Sequence, residues 1–155
     1  MARYAENTSV SSEKSRAEIE RTLTRYGAER FLYGWEADYA VIGFTMLDRQ
    51  VKFLLPLPDR NAREFTHTPE RENARSAPQA AAQYEQAVRQ RWRALALVIK
   101  AKLEAVQSGI TEFEDEFLAH IVLPNGQTVG NFMRPQIAHA YEHGDMPKLL
   151  PGPEA

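Results

Sequence analysis

Between Val88 and Leu103 the chain carries Arg89, Arg91, Arg93, Lys100 and Lys102 and no acidic residue, although its formal net charge is −2. At about 100° per residue, Arg89, Arg93 and Lys100 fall just past one edge of an apolar helical stripe, with Arg91 and Lys102 beside the other. Cations so placed can meet phosphates, and the salt dependence of such contacts reports the counterions they release. Arg49 and Lys52, together with the alternating aromatics of RFLYGW (Arg30–Trp35), would extend the track. Rings beside a cationic groove suit a single strand, whose bases stack while its phosphates pair with Arg and Lys. The competing reading is structural: long basic side chains lie along the rim of a core and keep their heads in water.

Three other groupings could do chemistry. Asp38, followed by Gln50-Val51-Lys52 on a later strand, resembles the metal-binding pattern of PD-(D/E)XK nucleases, in which carboxylates hold Mg²⁺ and a lysine positions water. Here a glutamine replaces one carboxylate and Asp38 falls in a turn, so polar residues facing out of a hairpin account for the pattern better. The pairs Glu116/His120 and His139/His143 have the i, i+4 spacing that puts two metal ligands on one helix face. His143 in a last helical turn serves the helix dipole equally well. The run Glu112-Phe113-Glu114-Asp115-Glu116 reads as the acidic start of a helix. The chain has no cysteine, which removes disulfides, thiolate metal sites and a cysteine nucleophile. Its eight glycines are scattered singly and form no phosphate-cradling loop. No cofactor is implied.

The elements that would carry these residues follow from periodicity. The longest runs over residues 79–107 without Gly or Pro, and Tyr84, Val88, Trp92, Leu95, Ile99, Leu103 and Val106 recur in steps of three or four. A shorter helix is expected from Ser12 or Ser15 to Gly27, with Ser15-Arg16-Ala17-Glu18 spaced as a capping box and Ile19, Leu23 and Tyr26 apolar. Period-two runs over 30–35, 39–47 and 50–55 predict a three-stranded antiparallel meander, ended by Pro56 and Pro58. Residues 59–78 are charged and nearly without aliphatics; they read as a long mobile loop, for which Phe65 and His67 are the anchors if it is ordered. Thr111-Glu112-Phe113-Glu114 is spaced as a second capping box before a short helix. A β-hairpin is expected over 120–129 around Asn125-Gly126, and then a last helix from about Asn131 to His143 with Pro135 in its first turn.

The fold class expected is α+β: a three-stranded antiparallel meander plus a C-terminal β-hairpin, packed against one long amphipathic helix and shorter helices. At 155 residues, 43% hydrophobic and 26% charged, the chain makes one domain, residues 12–143. Residues 1–11 read as a mobile arm and 144–155 as an extended proline-rich tail in which Leu149 and Leu150 could clip onto the body or a partner. No apolar run approaches the roughly 18 residues of a membrane span. The start has no apolar signal-peptide segment, so the cytoplasm is the expected location.

Three segments, FLLPLPDRNAREFTHTP, RQRWRALALVIKAKLEAVQSGI and FLAHIVLPNGQTVGNFMRPQI, together resemble a set of small proteins encoded by tailed bacteriophages and prophages, notably of actinobacteria. The resemblance spans roughly residues 12–152. It implies a phage protein inside a bacterial host cell and assigns no functional residue. The functional expectation is a non-enzymatic accessory protein that binds nucleic acid through Arg89, Arg93 and Lys100, then Arg91, Lys102, Arg49 and Lys52. The alternative is a protein-binding module, an inhibitor of a host protein or a self-assembling factor, and a metal-dependent nuclease comes third.

Overall fold

The computed structural model describes residues 5–146, so Leu149 and Leu150 lie outside the described residues. In chain order the elements are α1 (Ser12–Arg25), β1 (Arg30–Trp35), β2 (Tyr39–Met46), β3 (Arg49–Pro56), α2 (Arg63–Thr66), α3 (Ala77–Gln107), α4 (Phe113–Phe117) and α5 (Val129–His143). The three strands form an antiparallel meander in the order β1-β2-β3. Its register pairs Leu32 with Gly43 and Gly43 with Lys52, which fixes the face of every other strand residue. The β2–β3 turn sits one residue earlier than Asp48-Arg49. Leu47 and Asp48 both have positive φ, as a two-residue hairpin turn with the right-handed twist requires.

Alternation then divides the sheet. Ala40, Ile42, Phe44 and Met46 of β2 and Val51, Phe53 and Leu55 of β3 point to the buried side. Against them lie Ile19 and Leu23 of α1, the stripe Trp92, Leu95, Ile99 and Leu103 of α3, and Phe113 and Phe117 of α4. Phe117 is fully buried and meets Phe44 and Phe53 edge-on, with ring centroids 5.8 and 6.2 Å apart. Edge-to-face contact suits the ring quadrupoles. All the covering helices stack on this one face.

Helix ends differ in instructive ways from the spacing-based expectations. α3 starts at Ala77 because Ser76 and Gln79 close a reciprocal capping box. α1 is capped instead by Ser11, whose Oγ accepts from the Lys14 amide. Ser15 is fully buried, so the box expected at Ser15–Glu18 does not form. The box at Thr111–Glu114 does not form either: α4 begins after Glu112 and has no side-chain cap.

The segment after β3 folds back on itself. Its short helix α2 buries Phe65 edge-on to Tyr84 of α3, at 5.8 Å. Arg75 Nη1 donates to the Glu64 and Phe65 carbonyls, at 2.8 and 3.1 Å. His67 bridges to Ala74. Residues 5–11 are held too, since Gln86 Nε2 of α3 donates to the carbonyls of Glu6 and Thr8.

The expected C-terminal hairpin is replaced by a turn and two isolated bridges, Val51–Ile121 and Val122–Thr128. Thr128 caps α5 by accepting from the Asn131 amide, which turns Val129 into a helix before a return strand can grow. α5 thus starts two residues earlier than expected, and Pro135 lies inside it rather than in its first turn. No helix among the described residues is long and apolar enough to cross a membrane.

Candidate functional site

The cations of α3 are largely used to clamp the fold. Arg93 pairs with Glu18 of α1. Lys102 Nζ lies 3.0 Å from both the carboxylate and the carbonyl oxygen of Glu116 on α4. Arg91 donates to the Pro56 carbonyl at the end of β3, at 2.9 Å, and Arg89 donates to the Gln86 side chain one turn earlier. Off the helix, Arg49 pairs with Glu114 at 2.7 Å and Lys52 Nζ donates to the Gly126 carbonyl at 3.3 Å. Ion pairs therefore neutralise Arg49, Arg93 and Lys102, while Arg89, Arg91 and Lys52 keep their charge against neutral acceptors. Lys100 is exposed, with no side-chain partner among the described residues.

The aromatics expected beside this track face inward. Phe31 and Tyr33 pack against the core, and Tyr33 meets Trp92 edge-on at 5.6 Å under the Arg16 guanidinium. Only Trp35 of that set is exposed, at 70%. The single-strand groove read from RFLYGW is not assembled, because the odd positions of β1 share the buried face of β2.

The other constellations are also taken apart. Asp38 precedes the Tyr39–Pro56 pair, whereas Lys52 pairs with Gly43, four residues along the strand. At about 3.3 Å per residue, that separates them by more than ~13 Å. Glu116 turns to Lys102, while His120 stacks on Phe53 at 4.0 Å. Burial, and next the Lys102 charge, hold the His120 imidazole below its usual range. His139 and His143 stack on each other at 4.2 Å on exposed α5, and the His143 ring meets the His139 carbonyl. Among the described residues no three of His, Asp and Glu converge as a metal site. Of the acidic run, Glu114 and Glu116 serve as ion-pair partners.

What the structure does present is the other face of the sheet. Register places Arg30, Thr45 and Gln50 in one row, Leu32, Gly43 and Lys52 in the next, and Gly34, Val41 and Leu54 in a third. Leu32 and Leu54 are 65% and 50% exposed. Between the first two rows lies a depression of about 400 Å³, floored by Gly43 and walled by Leu32, Val41 and Val122. The absent side chain of Gly43 leaves this space; a Cβ there would meet Leu32 at an ordinary 3.7 Å. Arg30 and Lys52 stand at the depression, and no carboxylate lines it.

α5 is the second uncovered element. It buries none of its residues and leaves Phe132, Ile137 and Tyr141 exposed. It is fixed at its first turn, where Gly130 lies so close that an added Cβ would stand 2.9 Å from the Ala119 carbonyl. The sequence carried a signal for the sheet face that charge-based reading missed: Tyr39 and Val41 make both faces of β2 apolar, unlike a strand with one solvated side. Comparison with known proteins gives no match to this chain from any family model, curated protein or solved structure.

Proposed function

We propose that this chain is a non-enzymatic protein-binding module whose contact surface is the open face of its three-stranded sheet. One observation carries the reading: Leu32, Val41 and Val122 wall a glycine-floored depression, with exposed Leu54 paired to Val41 beside it, and no helix among the described residues covers it. Exposed apolar residues that cluster around a concavity, with cations at its rim, are the composition of an interaction site. The likeness to phage proteins suggests an accessory factor that meets its partner inside a bacterial host cell.

The test is selection of displayed peptides on the immobilised chain. Selected clones should lose at least about tenfold in affinity to a Leu32→Asp/Leu54→Asp variant, as loss of an interface centre does. Clones that bind both proteins equally would overturn the reading.

Nucleic-acid binding is the second reading, favoured by Lys100, which has no partner among the described residues, and by Arg89, whose guanidinium meets the neutral Gln86 amide. Fluorescence anisotropy with labelled single- and double-stranded oligonucleotides tests it. Affinity that falls steeply with salt and is lost in Arg89→Ala/Lys100→Ala would establish it.

A further inference from the structure

We infer that the occupant of the open sheet face is α5 of a second copy of this chain, in a reciprocal homodimer. The inference rests on the protein-binding reading above and names its partner.

The first ground is the state of α5 itself. An isolated helix of 15 residues is marginal in water, and most helical stability comes from burying an apolar face. An interior proline removes one backbone hydrogen bond and costs roughly 3 kcal/mol more. α5 contains Pro135 and buries no residue. Yet its sequence is amphipathic. At about 100° per residue, Phe132, Met133, Ile137, Ala140 and Tyr141 fall in one half of the helix beside Gln136 and His143, with Asn131, Arg134, His139 and Glu142 opposite, while Val129 in the first turn packs on its own core. Such a helix is built to lie on something.

The second ground is that the same chain offers the complementary surface. Among the described residues the helices of the core pack on one side of the sheet, and helix-on-sheet is the standard way to bury an apolar sheet face. Lengths agree: α5 is about 22 Å long at 1.5 Å per residue, and β2 about 26 Å at 3.3 Å per residue. Charges agree too. The depression carries Arg30 and Lys52 without a carboxylate, and Arg30 has no side-chain partner among the described residues. Past the end of α5 stands the acidic Asp145, while Arg134 lies on the half of the helix turned away from the apolar residues. Two-fold symmetry doubles the contact, as a stable interface of about 1,200–2,000 Å² in total requires.

The experiment is sedimentation equilibrium of the full chain with two single variants. Gly43→Leu fills the depression at a residue without positive φ, and Ile137→Asp charges the exposed half of α5. The wild type should be dimeric, and each variant should weaken the dimer by at least about tenfold with unchanged circular dichroism. Because the chain lacks cysteine, Leu32→Cys and Ile137→Cys chains, mixed, should cross-link to each other with a short bismaleimide. Val98→Cys, on the outer side of α3, should cross-link to neither. A monomeric wild type would overturn α5 as the occupant and leave the sheet face for another protein. A dimer indifferent to Gly43→Leu would overturn the use of the sheet face altogether.

Discussion

The Glu18 carboxylate receives the Arg93 guanidinium across the seam between α1 and α3, joining residues 75 positions apart. Their side chains are 31% and 24% exposed, so the pair is partly shielded from water. Partial shielding strengthens the attraction relative to a surface pair, and solvent still screens it. A double-mutant cycle of Glu18→Gln and Arg93→Met, read by urea unfolding, should give a coupling of about 1 kcal/mol. A coupling near zero would mean that burial of Ile19 and Leu23 alone holds α1 in place.

Ser11 and Ser15, at the start of α1, should respond differently to truncation. Ser11 is the cap, and Ser11→Ala should cost about 1 kcal/mol. Ser15 is buried and its hydroxyl has no partner among the described residues, so Ser15→Ala should be neutral or stabilising. Thermal melts of the two variants check this. A loss at Ser15 equal to that at Ser11 would contradict the assignment.

Gly130→Ala should destabilise the chain even though alanine is the better helix former by up to about 1 kcal/mol. The new Cβ would stand 2.9 Å from the Ala119 carbonyl and push α5 off the turn before it. Gly43→Ala, with 3.7 Å of room, is the control and should not lower the melting temperature.

His120 gives the stability a pH dependence of defined sign. Burial, then the Lys102 charge, lowers its folded-state pKa below the ordinary value near 6.5. As pH falls through about 6.5, the unfolded chain takes up the proton first, and stability declines until the folded state protonates as well. The melting temperature should therefore drop between about pH 7 and pH 5. His120→Phe keeps a ring on Phe53 and should flatten that drop. An equal slope in the variant would place the titration elsewhere.

Regular elements with strong periods were legible in the sequence. Trp92, Leu95, Ile99 and Leu103 mark the buried stripe of α3, and Val51, Phe53 and Leu55 mark the buried face of β3. Local motifs with long-range competitors were not. Glu18 and Glu114 both sit at capping-box spacing, yet Arg93 and Arg49 take their carboxylates. Asn125-Gly126 does turn the chain, but Thr128 then caps a helix, and the expected hairpin ends after a single bridge. The cations of α3 stood out as a charge imbalance because the partners of Arg93, Lys102 and Arg91 lie on α1, α4 and the end of β3. On the open sheet face Arg30 and Lys52 are far apart in the sequence, and the pairing of Leu32, Gly43 and Lys52 in one row, next to that of Arg30, Thr45 and Gln50, brings them together.

Carbene footprinting of the Ile137→Asp chain, whose sheet face α5 of a second copy no longer covers, alone and with a peptide obtained by display selection, tests the sheet-face reading most directly. The account predicts that labelling falls at Leu32, Val41 and Leu54 when the ligand binds and stays constant at Val98. Protection along α3 around Arg89 and Lys100, with the sheet face labelled as before, would contradict it.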